Sequence, residues 1–396
     1  MKQATLFLIV LLGQEAKPGL SGPEMAQAKA ILKKVFAAES PDALRAALAE
    51  LEPLDRPSKA DLAALQKECF RLAFQGPRQE GKSPVKCTHP GFPGTYILHV
   101  PSAARKGARV GVFIGLHGGG PGVGDGAQIE SLFGTPNSQF ITVYPTVIQK
   151  DNGAWNTERE EQYVLAILGE LKRTYNVDTN RVYLAGHSMG GFGTWSIARR
   201  HADVFAAASA MAGGTYGPGV LPNYKNLPVW FYHSTDDPQV DFKSDRLASE
   251  TLDRLRKEHG PYDFVYKEYG DIGHGLPKEG LKPVWDWVFA KKRDPFPKHV
   301  VWEPTRPYKR HFYWVKSEGG GAVDVKLEGQ KIVLKGSGVT LFLNEKMVKF
   351  SEEVTVVDPT GKELWKSKPS LSLVALVESI AVKRDLESIF TARIKP

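Results

Sequence analysis

The 396-residue sequence contains only two cysteines, Cys69 and Cys87, too few for a disulfide scaffold or a cysteine-built zinc site. It offers no membrane span: the apolar run Ala4–Leu12 falls well short of the about 20 residues a bilayer needs. It lacks the stripe of Lys and Arg interleaved with aromatics that nucleic-acid binding calls for, although the formal net charge is +8. Charges of both signs alternate along the chain and Thr157–Gln162 is locally acidic, so a solvated basic surface is favoured over an anionic partner. No repeat of fixed period is evident, which leaves no room for propeller blades.

What is present is a globular composition, 42% hydrophobic and 24% charged. The length suits one large domain with smaller additions. Met-Lys-Gln followed by Ala4–Leu12 matches the charged and apolar regions of a secretory signal. Residues 1–16 are therefore expected to direct export to the periplasm or the medium, a buried N-terminal element being the alternative. In an exported protein Cys69 and Cys87 could pair, tying the N-terminal helices to the next domain; two unpaired buried thiols are the other reading.

Residues 17–80 read as a helical extension. Ile31, Val35, Leu44, Leu48, Leu51, Leu62 and Leu65 recur at helical spacing, and Ser40-Pro41 and Ser58 are natural helix starts. Over residues 81–295 strand-like runs alternate with helical ones. Thr95–Val100, Val110–Leu116, Phe140–Tyr144, Arg181–Ala185, Phe205–Ala212, Val229–His233 and Phe264–Tyr269 are the strands. Helices are expected near Arg159–Tyr175, after Ser188, and near Ser244–Glu258 and Pro283–Ala290. That alternation implies βαβ units and a mostly parallel sheet covered on both faces. Residues 296–396 read as a small β-rich domain, punctuated by Glu318-Gly-Gly-Gly321, Gly336-Ser-Gly338 and Asp358-Pro-Thr-Gly361. Within it His311-Phe-Tyr-Trp-Val315 could stack on carbohydrate, but half of an alternating strand points inward, which favours a structural cap.

One constellation carries chemistry. Arg181–Ala185 leads into Gly186-His-Ser-Met-Gly190 and then a helix, the strand-turn-helix G-x-S-x-G of a nucleophile elbow. Upstream, the strand ending at Leu116 runs into His117-Gly-Gly-Gly120, a loop whose amides, at Gly118 or Gly119, can join that of Met189 in binding an oxyanion. No Gly-Lys-Ser/Thr follows, so a phosphate loop is disfavoured. A serine nucleophile needs a base and an acid to orient it, in the chain order Ser, Asp, His for this architecture. His274, between two glycines after the last predicted strand, is the candidate base; Asp237 is the candidate acid, with Asp236 and then Asp271 behind it. His187 reads as a packing residue and His117 as a brace for its loop.

With these residues in place, the stretch from about Pro93 to Lys291 resembles a secreted esterase family that includes polyhydroxybutyrate depolymerases, feruloyl esterases and related carbohydrate esterases. The matching residues are Gly115-Leu-His-Gly-Gly-Gly120, Tyr144-Pro145, Trp155, Gly186-His-Ser-Met-Gly-Gly191, His233-Ser-Thr-Asp-Asp-Pro238 and Gly273-His-Gly275. The family's H-G-T-x-D-x-x-V pattern, laid on His233, Thr235 and Val240, selects Asp237 as the acid, with Ser234 where Gly is usual. The resemblance implies an α/β-hydrolase fold, ester hydrolysis through an acyl-enzyme without metal or cofactor, and aromatics bordering the acyl site at Tyr144 and Trp155, unless these are ordinary core rings. The expected substrate is a small or polymeric ester, with acyl or aromatic esters on polysaccharide favoured. A polyester depolymerase, a serine peptidase of the prolyl-oligopeptidase class and an inactive binding protein on the same scaffold are the rivals.

Overall fold

The structure, a computed structural model, describes residues 19–74, 85–89, 91–119, 123–149, 155–215 and 221–396. The expected export segment, residues 1–16, and Gly120 lie outside the described residues. Three helices come first: α1 (Gly22–Ala37), α2 (Pro41–Ala49) and α3 (Lys59–Ala73). Each starts on a serine, Ser21, Ser40 and Ser58, whose side chain accepts a backbone amide of the first turn, and Ser21 and Ser58 complete capping boxes with Glu24 and Asp61.

The central unit runs β1 (Val85–Thr88), β2 (Thr95–His99), α4 (Ser102–Arg105), β3 (Val110–Leu116), α5 (Gly126–Phe133), β4 (Ile141–Pro145), α6 (Glu158–Thr174), β5 (Val177–His187), α7 (Met189–Arg200), β6 (Ala207–Met211), β7 (Val229–Ser234), α8 (Lys243–His259), β8 (Phe264–Tyr269) and α9 (Lys282–Ala290). Its eight strands form one sheet in the order β1-β2-β4-β3-β5-β6-β7-β8, with β2 antiparallel to both neighbours and β3 to β8 parallel. This is the α/β-hydrolase fold. Side chains alternate between its faces. Val112, Ile114, Val182, Leu184 and Phe231 join one apolar cluster with Val164 of α6, Trp195 of α7 and Leu252 of α8. Phe113, Tyr183, Ala185 and Tyr232 join another with Ile129 of α5 and Trp285 of α9. A sheet buried on both faces explains why β3 is apolar at every position.

Two further sheets follow, built from β9 (His299–Trp302), β10 (His311–Phe312), β11 (Val315–Ser317), β12 (Val323–Glu328), β13 (Lys331–Lys335), β14 (Val339–Leu343), β15 (Val354–Val357) and β16 (Glu363–Ser367), then α10 (Leu373–Lys383) and β17 (Ala392–Ile394). One sheet is ordered β10-β11-β14-β17, the other β16-β15-β13-β12-β9. The single strand expected over His311–Val315 is instead a tight hairpin, because Tyr313 turns the chain at φ 51° while its hydroxyl donates to the carbonyl of Ala202. Phe312, Tyr313 and Trp314 are all buried, so none offers a face to a sugar.

α10 was not visible in the sequence. It is apolar nearly all round and is enclosed by α1, α2 and α3 in a separate cluster, so it has no amphipathic period to read. Asp55 caps its first turn, accepting from the Val374 amide (3.0 Å) and the Ser372 hydroxyl (2.9 Å). Cys69 lies in that helical cluster and Cys87 in the sheet's; both are buried and they form no disulfide with each other, and burial pushes the Cys69 thiol up to about 12. Among the described residues no helix is long and apolar enough to cross a membrane.

Buried charge joins the β-rich region to the hydrolase. Asp203 accepts from Lys309 (2.6 Å) and lies 3.4 Å from the Lys383 ammonium, and Asp385 pairs with Arg293 (2.6 Å) and accepts from Thr179 (2.6 Å). Burial works against both carboxylates, but these cations hold them far below the usual range. Asp203→Ala would leave two buried ammoniums without their carboxylate and is expected to cost about 3–5 kcal/mol, read as a lowered urea midpoint. Because both carboxyls titrate below the unfolded value of about 4, the stability they confer is complete at neutral pH and drains as pH falls below about 4. A urea midpoint that holds steady from pH 7 to 3 would contradict this.

Candidate active site

The site begins with a backbone that its sequence would not otherwise adopt. Ser188, between β5 and α7, sits at φ 59°, ψ −124°, a conformation costing on the order of 1–3 kcal/mol for a residue with a side chain. Two glycines make the turn possible by close approach. A β-carbon on Gly186 would lie 2.2 Å from the Gly190 carbonyl oxygen, and one on Gly190 would lie 2.0 Å from that of Leu116. The Ser188 amide donates to the Met211 carbonyl at 2.9 Å, tying the turn to the end of β6.

The three residues expected to act together meet at the carboxyl ends of their strands. Ser188 Oγ is 2.8 Å from His274 Nε2, and His274 Nδ1 is 2.6 Å from Asp237 Oδ2. An ionised carboxylate only accepts, so the imidazole carries its proton on Nδ1 and turns the Nε2 lone pair toward the Ser188 hydroxyl. Asp237 is buried, which disfavours its charge, but His274 and the amides of Gln239 (2.8 Å) and Val240 (3.0 Å) outweigh this and hold it below the ordinary range. Asp236 faces another way: it accepts from Ser234 Oγ and, at 3.0 Å, from the Gly273 amide, anchoring the loop that carries His274. Asp271 pairs with Lys278 at the surface. His187 packs against the His274 ring, centroids 5.1 Å apart; burial, and then His274, push it down to about 4, so it is neutral at pH 7.

The loop after β3 lies against the serine. A β-carbon on Gly118 would come within 3.0 Å of Ser188 Cβ, and Met189 opens α7 immediately after the serine. Gly119 holds φ 94°. Buried His117 braces the loop: its Nδ1–H donates to the Gly118 carbonyl (2.8 Å) and its Nε2 accepts from the Val147 amide (3.2 Å). Trp155 donates to the His117 carbonyl at 2.9 Å and is fully buried, as is Tyr144, whose hydroxyl donates to the Gly134 carbonyl. The expectation that these two rings border the acyl site is thereby corrected. Neither has surface to offer; Trp155 props the loop and Tyr144 fills the core beside Phe113.

In the sequence His233 is only a motif position and Asp245 carries no signal, yet the two stand directly behind Asp237. Nothing in the polar sequence of α8 marks Asp245; its burial comes from packing against Trp195, whose indole N–H donates to it at 2.9 Å. Among the described residues one group has the geometry to hold a metal: His259, His299 and Asp324. It lies where α8 ends, at the amino end of β8 and so away from the edge carrying Ser188, Asp237 and His274, and Lys225 and Lys326 crowd Asp324 with positive charge.

Part of the chain is similar to known proteins. Residues 139–256 match the family model described as "Putative esterase". A bifunctional acetylxylan esterase/xylanase of Neocallimastix patriciarum is 30% identical over 177 residues, 38% of this chain and 26% of its own length. Feruloyl esterase B of Talaromyces funiculosus is 23% identical over 211 residues, 46% of this chain and 57% of its own. Among solved structures, a thermostable esterase aligns over 53% of this chain and 63% of its own at 23% identity, with a TM-score of 0.43. The chain spans less than two thirds of the curated relatives it matches. Over the matched segment it is esterase-like in sequence, and the matches support a carboxylic-ester hydrolase.

The strain at Ser188 can be measured directly. Ser188→Gly should be more stable than Ser188→Ala by about 1–2 kcal/mol, since both lose the hydroxyl and only glycine is at ease at this φ. Equal melting temperatures for the two variants would show an unstrained turn.

Proposed function

We propose that the chain is an exported serine esterase that hydrolyses acyl or aromatic esters carried by polysaccharide. The observation that carries the catalytic part is the unbroken contact from Ser188 Oγ through His274 to Asp237. In this reading Ser188 attacks the ester carbonyl while its proton passes to His274 Nε2, and Asp237 fixes the tautomer and steadies the imidazolium. Amides of Met189 and of Gly118 or Gly119 bind the oxyanion. Collapse expels the alcohol with a proton from His274, and water, deprotonated by the same base, releases the acid. The sugar-borne substrate class is supported by the names of the two curated relatives, export by the Met1–Leu12 pattern and by a 28% identical secreted protein of Arthroderma benhamiae.

Ser188→Ala should abolish hydrolysis of p-nitrophenyl acetate and labelling by a fluorophosphonate; full activity in that variant would end the proposal. Asp237→Asn should lower kcat by up to about 10⁴-fold, and Asp236→Asn far less, because only Asp237 touches the imidazole. The reverse ranking would move the acid to Asp236. Acetylated xylan, methyl ferulate and polyhydroxybutyrate assayed side by side test the substrate class, and turnover of the polyester alone would replace polysaccharide esters with a depolymerase reading.

A further inference from the structure

Behind the acid of the triad stands a second histidine that the proposed reaction does not use. His233, near the end of β7, is fully buried, and both its ring nitrogens are engaged. Nε2 faces Asp237 Oδ2 at 3.2 Å and the Val240 carbonyl at 3.1 Å. Neither of these can donate, so Nε2 must carry a proton. Nδ1 faces Asp245 Oδ2 at 2.8 Å, and the other Asp245 oxygen accepts from the Trp195 indole at 2.9 Å. A single proton is therefore shared between His233 Nδ1 and Asp245, leaving either an imidazolium with a carboxylate or two neutral groups.

Resting on the triad reading above, we propose that His233 is a positioning residue held as an imidazolium by Asp245, whose positive charge against Asp237 lowers the pH at which His274 takes up a proton. His233 and His274 contact the same oxygen, Asp237 Oδ2. An imidazolium on one side of that carboxylate makes a second imidazolium on the other side costlier. The base then stays unprotonated, and usable, to lower pH than an isolated Asp–His pair would allow. Burial pushes Asp245 up, to about 6 even against the bonds from His233 and Trp195, and burial also works against charge on His233, but the bond to Asp245 outweighs it there and favours the charged form. The other groups facing this cluster do not cancel that charge. Glu268 of β8 is already bound by Arg246 at 2.6 and 3.0 Å, Tyr266 is held protonated by burial, and His187 is neutral.

Asp245→Asn tests this cleanly, because asparagine satisfies the same contacts without the charge. Its oxygen accepts from Trp195 while its amide donates to Nδ1 of a now neutral His233. The acid limb of kcat/KM for p-nitrophenyl acetate should then move to higher pH, by up to about 1 unit, because the imidazolium that is lost touches the same carboxylate oxygen as His274 while the carboxylate lost with it stands on the far side of His233. An unmoved limb in a folded Asp245→Asn protein would overturn the inference, since a purely structural Asp245 would change stability and leave the titration alone. The nitrogen NMR shifts of the wild-type His233 ring provide a check needing no variant. Two protonated nitrogens at pH 7 support the inference, and one sinks it. Ser188→Ala separates the two levels: if it remains active, the triad reading fails and the inference with it, whereas an inactive Ser188→Ala beside an unmoved limb removes only the inference.

Discussion

Three backbones meet at one point, and the edge of the sheet that carries Ser188 depends on their contact. The end of β3, the turn at Ser188 and the first turn of α7 approach so closely that the Leu116 carbonyl occupies the space a β-carbon on Gly190 would need. That contact keeps Ser188 in its costly conformation, aims its hydroxyl at His274 and brings Gly118 alongside. Relaxing it by even one methyl group would separate the serine from the loop that lies against it. Strain here is sustained by packing elsewhere, chiefly the apolar layers on both faces of the sheet.

Polar order is built outward from the same edge. Asp237 accepts four contacts, from two imidazoles and two backbone amides, so its orientation is set by more than the histidine it serves. Asp236, its neighbour in sequence, fastens the His274 loop, which gives two adjacent aspartates different tasks through geometry alone. The seam with the β-rich region follows the opposite arrangement. There carboxylates and cations are paired away from water, and they hold the regions together without touching Ser188, His274 or Asp237.

Much of this was legible because the hydrolase core obeys local rules. The strands Val110–Leu116 and Phe264–Tyr269 begin and end where their apolar and β-branched runs do, and the helices after Ser40 and Ser58 start on their caps. The serine, base and acid candidates were readable because strand ends in an open parallel sheet share one edge. What escaped lacked a periodic or compositional trace. α10 is apolar nearly all round, so its pattern is hard to tell from a buried strand. β1 is only four residues long. The turn at Tyr313 runs against its own propensity and exists because a hydroxyl finds carbonyls on the hydrolase. Tyr144 and Trp155 stand where the sequence pattern suggested, but tertiary packing turned them inward. Asp245 is one acidic residue in a charged helix until Trp195 and His233 close over it.

The capping of α10 by Asp55 has a consequence for how the chain comes to be folded. Asp55 and the Val374 amide it binds are 319 residues apart in sequence. On the ribosome α1, α2 and α3 emerge before the central sheet, yet the helix that fills the space between them is made after it. Until then their apolar faces must be shielded by transient contacts or by a chaperone, while the central sheet, complete by α9, can already assemble. Closure of the helical cluster therefore follows assembly of the central sheet and is an event of high contact order, a clasp that engages only after that sheet stands.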